Sequence, residues 1–244
     1  MTNFIRLLQT NYFIMKKIIL SSLLLISLNV SAQISIEGGI KGSYNSTWLF
    51  NKNISDQGTK QDYAAGWGSN YGLGASVYYG PIGFGVEYLR GTHTGGYAGD
   101  FAGKYTSNVK LNVAQIPLLL KLKSKGGGYV ELGAQLNSVS KASYSKDYEG
   151  SDLFDVVDSD VSDSYSSSFT SAILGFGANV QLTKAIPLAL NVGIRLQYGF
   201  SDAKGVDALG FNLDNKIVYP TYEKTNALAG GILVGLNYTF EAKK

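Results

Sequence analysis

The sequence predicts an all-β protein: an eight-stranded antiparallel up-and-down transmembrane β-barrel, preceded by a cleavable signal peptide. Three observations carry this. Eight segments alternate large apolar residues with small or polar ones, the period of a strand with two unlike faces. The connections between them run long, short, long, short to the end, the pattern of a bacterial barrel with long extracellular loops and short periplasmic turns. Five charges within the segments, Glu37, Lys41, Glu87, Glu131 and Arg195, share the small face.

The 244 residues allow one domain or two on length alone. There is no Cys, which removes a disulfide framework and a thiolate metal site. The net charge of +3 is confined to the leader, where residues 1–32 hold Arg6, Lys16 and Lys17 and no acid. The rest of the chain is neutral and offers no basic surface for nucleic acid. Lys16 and Lys17 precede the apolar run Ile18 to Leu28, then Val30-Ser31-Ala32. A positive start, a short apolar run and small residues before the cut make a secretory signal peptide over residues 1–32, with cleavage expected after Ala32. Met15 offers an alternative start, which would leave residues 15–32 as the leader and 1–14 as an upstream over-extension. Residues 33–244 form the barrel domain.

The first strand runs from Ile34 to Tyr44, with Ile34, Ile36, Ile40 and Tyr44 on one face. A long polar connection follows. The second, Tyr71 to Tyr79, and the third, Ile82 to Arg90, are joined by a tight Gly80-Pro81 turn. A Gly- and Tyr-rich connection leads to the fourth. There Val109, Leu111 and Val113 have odd parity and Leu118, Leu120 and Leu122 even, so a β-bulge is expected near Pro117, which cannot donate to a ladder. The fifth strand sets Val130, Leu132 and Leu136 against Glu131, Gln135 and Asn137. An acidic connection, about Tyr144 to Ser167, precedes the sixth, around Ala172 to Leu182. The seventh, Leu188 to Phe200, alternates most cleanly, and the eighth is Asn226 to Phe240.

A soluble lipocalin-like barrel explains the alternation equally well. It does not explain aromatics at the ends of the apolar faces. Tyr44, Tyr71, Tyr88, Tyr198 and Phe200 lie toward the long loops, and Tyr79, Tyr238 and Phe240 toward the short turns. Interfacial girdles do explain them. Lipid offers no hydrogen-bond partners, so the sheet must close, with the last strand on the first. Eight strands leave a lumen just filled by side chains. Glu37, Lys41, Glu87, Glu131 and Arg195 are therefore expected to form a paired polar network plugging it; the alternative is a gated pore.

Three stretches carry a resemblance: Ile116-Pro117-Leu118-Leu119-Leu120-Lys121, Tyr129-Val130-Glu131-Leu132-Gly133 and Leu196-Gln197-Tyr198-Gly199-Phe200. Through them the chain resembles the porin-like outer-membrane β-barrel domain family of Gram-negative bacteria, which includes PorT-like proteins, over about residues 33–240. Gly235, Tyr238 and Phe240 look like the C-terminal signal read by the barrel-assembly machinery, although Leu233 stands where a polar residue is usual and Glu241 to Lys244 follow the last aromatic. The resemblance implies a multi-pass outer-membrane protein, with a passive pore or an accessory role in secretion among its functions.

Candidate chemistry is sparse. His93, the single His, is expected in a solvated loop; a lipid hydrolase would need it to assist a nucleophile, and nothing beside it completes such a site. Asp158, Asp160 and Asp163 could offer oxygens to Ca²⁺ but lack the Gly and terminal Glu of an EF-hand loop, so a solvated acidic loop is the competing reading. No cofactor is expected. The function read from the sequence is a non-catalytic barrel whose long loops serve envelope structure or bind an extracellular partner. Its other partners are outer-membrane lipid and, during biogenesis, the assembly machinery.

Overall fold

The computed structural model describes residues 34–100, 103–150, 155–183, 185–206 and 221–241. The expected signal peptide, residues 1–32, and the tail beyond Glu241 lie outside them. Among the described residues there are ten strands: β1 (Ile34–Phe50), β2 (Asp62–Ala64), β3 (Gly66–Tyr79), β4 (Ile82–Asp100), β5 (Lys104–Lys123), β6 (Gly128–Tyr148), β7 (Val156–Asp160), β8 (Ser168–Gln181), β9 (Leu188–Gly199) and β10 (Asn226–Glu241). Eight of them close a ring in which each long strand pairs antiparallel with its neighbours in sequence, and β10 pairs with β1. Closure sets Ile36 opposite Phe240, so the start of β1 and the end of β10 share a rim. The two short strands lengthen the wall: β2 pairs with the upper part of β4, and β7 with the upper part of β6.

The outer surface is apolar. Leu73 is 62% exposed and Leu132 58%, and the aromatics Tyr44, Tyr71, Tyr88, Tyr198, Phe200, Tyr79, Tyr238 and Phe240 are all exposed at its two margins. Water would expel such a surface, whereas hydrocarbon solvates it, so the chain is a transmembrane barrel of the outer-membrane kind. The soluble-carrier reading falls here. Ile194 is 44% exposed, Leu190 and Leu236 line a shallow external groove, and Glu87 and Arg195 are each only 2% exposed.

The strands are longer than the sequence implied. β4, β5 and β6 have 19, 20 and 21 residues, about twice what a tilted crossing needs. Much of what reads as long loop is wall standing above the membrane. Along β5 the reason is visible residue by residue. Outward positions are apolar from Ala114 to Leu122 and polar from Lys104 to Asn112. Inward positions do the opposite: Val109 and Leu111 are fully buried, whereas Lys121 and Gln115 are the buried polar ones. The strand stays in one phase while the medium outside it changes from lipid to water.

That finding corrects the bulge expected near Pro117. The β4–β5 register is the same on both sides of Pro117, and odd residues point inward along the whole of β5. Pro117 merely interrupts the ladder, which has no pairs at Glu87 and Tyr88, because Pro has no N–H to give. The true shift lies higher, between Asn112 and Val113, which face Lys141 and Val139 and leave Ser140 as the extra residue of β6. Beyond it the inward positions of β6 become Ala142, Tyr144 and Lys146.

Candidate functional site

Among the described residues buried charge is concentrated in the lumen, which is built in tiers. At the periplasmic end Glu37 pairs with Lys123 and accepts a hydrogen bond from Thr239 Oγ1 at 3.3 Å, and the Tyr78 ring centroid is 4.3 Å from Lys123 Nζ. Above it is a knot of five charges. Arg195 Nη1 donates to Glu87 Oε2 at 2.7 Å, and its Nε donates to Glu131 Oε1 at 2.7 Å. Its Nη2 reaches Glu131 Oε1 at 2.6 Å and Glu87 Oε1 at 3.1 Å. Lys41 pairs with Glu87, and Lys121 Nζ lies 3.5 Å from Glu87 and 3.6 Å from Glu131. The planar guanidinium is what allows one cation to bridge two carboxylates.

The glycines make the room. A Cβ on Gly175 would stand 2.6 Å from Glu131 Oε1, and one on Gly74 3.1 Å from Glu87 Cγ. Large apolar side chains share the lumen too. Leu119, Ile173, Leu233 and Leu89 are essentially buried on the inward face, where the alternation led one to expect small or polar residues. They exclude water from the knot, which strengthens its pairing and raises the cost of breaking it.

Next comes a tier of amides. Gln135 Nε2 donates to Asn137 Oδ1 at 2.6 Å and to Gln197 Oε1 at 3.1 Å, and Asn137 Nδ2 donates to Ser171 Oγ at 3.1 Å. The top is apolar. Leu49, Ile54, Val109, Leu111, Val113, Ala142, Tyr144, Tyr165, Phe169 and Ala227 belong to one buried cluster across the barrel mouth. A helical turn, α1 (Lys52–Ser55), delivers Ile54 to it; Asn51 caps the turn by accepting from Asn53 N at 2.9 Å. Asn51 Nδ2 also donates to Glu223 O and Thr225 Oγ1, tying this lid to the segment before β10. The polar cavity left beside Lys41, Lys121 and Tyr129 measures about 10 Å³, room for one water at most.

The structure thus brings Lys41, Glu87, Glu131 and Arg195 together and places Glu37 apart, in its own pair. Lys121 and Lys123 escaped the sequence reading. The signal was present: both alternate with Leu118, Leu120 and Leu122, and the supposed bulge obscured it. His93 is not a solvated loop residue. It sits inside β4, 4% exposed, with Nε2 3.0 Å from Trp48 O and its ring edge-on to Phe169. Its neighbours are thus a carbonyl and a phenyl ring. Asp158, Asp160 and Asp163 are surface residues. Asp160 Oδ1 accepts from Ser162 N at 3.0 Å and Ser162 Oγ at 2.6 Å, and no three His, Asp or Glu side chains among the described residues converge as a metal site. Gly235 faces the lumen, while Tyr238 and Phe240 lie on the outer rim with ring centroids 4.6 Å apart.

No family model matches the chain, and no curated protein matches it. Solved structures similar in fold include the outer membrane protein OprG from Pseudomonas aeruginosa, at 16% identity over 86% of this chain and 97% of that one, with a TM-score of 0.41. Neisserial surface protein A aligns at 14% identity over 86% of this chain and 100% of its own, with a TM-score of 0.37. The outer membrane protease OmpT from Escherichia coli aligns at 11% identity over 87% of this chain and 99% of its own, with a TM-score of 0.31. At such identities no role of theirs is carried over; what stands, on its own geometry, is that this chain is a small outer-membrane β-barrel protein.

Proposed function

We propose that the protein is a non-conducting, non-catalytic barrel that anchors a rigid extracellular head in the outer membrane. The observation that carries this is the double seal. A desolvated salt-bridge knot fills the lumen at membrane depth, and an apolar cluster closes the mouth above it. Ions would have to break both. The head is a continuation of the barrel wall, so it presents a fixed surface for envelope structure or for an extracellular partner. Planar-bilayer recording tests the sealed lumen. Silence, or only rare brief events, is the expected result; steady large openings would refute it.

The PorT-like resemblance supports a narrower role as an accessory factor in secretion. The residues that carry it build the wall and the lumen: Ile116, Leu118 and Leu120 face lipid, and Lys121 and Glu131 enter the knot. Deleting the gene and measuring secreted protein would separate that role from a purely structural one. Gly235, Tyr238 and Phe240 support recognition by the barrel-assembly machinery; Phe240→Ala should lower the folded yield in membranes and leave refolding in detergent unchanged.

A further inference from the structure

Just above the apolar band, the outer face of the barrel carries three cations on adjacent strands. Arg90 of β4 is level with Ala114 and Ser138, Lys141 of β6 is level with Asn112, and Lys110 of β5 stands one outward position higher. All three are exposed. By ordinary strand spacings, the Cα atoms of Lys110 and Lys141 lie roughly 8 Å apart and Arg90 lies roughly 12–14 Å from both. Those spans are within reach of one headgroup for such long side chains. Among the described residues none of the three forms an ion pair, and the outward positions of β1, β3, β8, β9 and β10 at this level carry no charge. Among the described residues Asp160 is an acid close to Lys141, and it is already hydrogen-bonded to Ser162. Asp100 and Asp147 lie farther up, toward the tips.

Arg90 is also held in place. Its Nε donates to Tyr88 Oη at 2.8 Å, and its guanidinium carbon lies 5.6 Å from the Tyr88 ring centroid. Tyr88 belongs to the upper aromatic girdle, so the guanidinium is fixed at headgroup depth with its other N–H groups open.

We propose that Arg90, Lys110 and Lys141 form a binding surface for the phosphate groups of the glycolipids in the outer leaflet. The position selects the source. The patch faces sideways at the height where lipid headgroups meet the wall, not upward into the medium. It occupies one side of the barrel, so it binds such a lipid at a defined place rather than as a uniform annulus.

Native mass spectrometry of the full-length protein in detergent micelles, titrated with bisphosphorylated lipid A, tests this. Each cation near an anionic lipid surface contributes about fivefold, so replacing all three by Gln should weaken binding roughly a hundredfold. Each single substitution, Arg90→Gln, Lys110→Gln or Lys141→Gln, should weaken it several-fold, which keeps the test valid if the triple variant folds poorly. Dephosphorylated lipid A should bind the wild type no better than the phosphorylated lipid binds the triple variant. Lys104→Gln, on the same strand but higher, should change nothing. Equal binding by the single variants and wild type, or by the dephosphorylated lipid, would overturn the proposal. So would inorganic phosphate that competes at the lipid's own concentration, since the patch would then be a general anion site.

Discussion

Replacing Arg195 by Gln should destabilise the barrel severely, and the size of the loss follows from the knot. Arg195 contacts Glu87 through two nitrogens and Glu131 through two, all within 3.1 Å, and the side chains of all three residues are at most 2% exposed. The substitution leaves two buried carboxylates with Lys41 and the more distant Lys121 as their cations. Glu131 Oε2 already accepts no hydrogen bond, and its remaining cation, Lys121 Nζ, stands 3.6 Å away. Breaking a buried pair by removing one member costs about 3–5 kcal/mol, and about 4 kcal/mol is expected here. The assay is urea unfolding in phosphatidylcholine vesicles, followed by tryptophan fluorescence and by gel mobility with and without boiling. Adding Glu131→Gln to Arg195→Gln should recover part of the loss, because it neutralises one orphaned carboxylate. A loss below about 1 kcal/mol would refute the reasoning, since that is the value of a solvated ion pair and would mean that the lumen is wet.

Three further outcomes follow from the same geometry. Leu111→Ala, in the fully buried cap, should cost about 2–5 kcal/mol and leave the bilayer silent, because the knot below still blocks the lumen; unfolding and conductance measurements check both halves. Leu118→Lys places a cation against hydrocarbon and should cost about 2–4 kcal/mol, whereas Asn112→Lys, six residues away on the same face, should cost about 1 kcal/mol or less. Equal costs would mean that the wall does not leave the membrane between these positions. Asp202 lies outside the membrane. Partial burial raises its carboxyl, but hydrogen bonds from Tyr222, Lys204 N and Thr225 N outweigh this and hold it below the usual carboxylate range. A depressed carboxyl stabilises the fold above its unfolded-state pKa and loses that contribution as pH falls through the folded value. The protection of the Thr225 amide, its exchange rate corrected for the intrinsic pH dependence, should therefore fall on acidification, and Asp202→Asn should remove most of that change.

Much of the fold was legible because a strand buried against lipid must keep strict alternation. The eight segments, their order and the ring closure all follow from parity and connection length. Alternation says which residues share a face; it does not say where the surroundings change. At Val109 to Val113 the apolar set moves to the other parity. A slip of the backbone and a change of medium look alike if only the greasy residues are followed. The polar set settles it: Asn108, Lys110 and Asn112 take the outward positions there. The knot was partly legible for the same reason. Four of its charges lie in clean alternating segments, whereas Lys121 sat behind the supposed bulge. Burial of His93 was not legible, because nothing in a Gly- and Tyr-rich stretch marks it as wall rather than loop.

The change of medium along β5 means that one continuous sheet serves two solvents with opposite substitution rules. Height above the bilayer becomes adjustable independently of the barrel. Residues can be added in pairs to a hairpin such as β4–β5 without disturbing the register below, provided each pair sets oil inward and water outward. A protein built this way can vary the reach of its exposed part while the portion held in lipid stays unaltered.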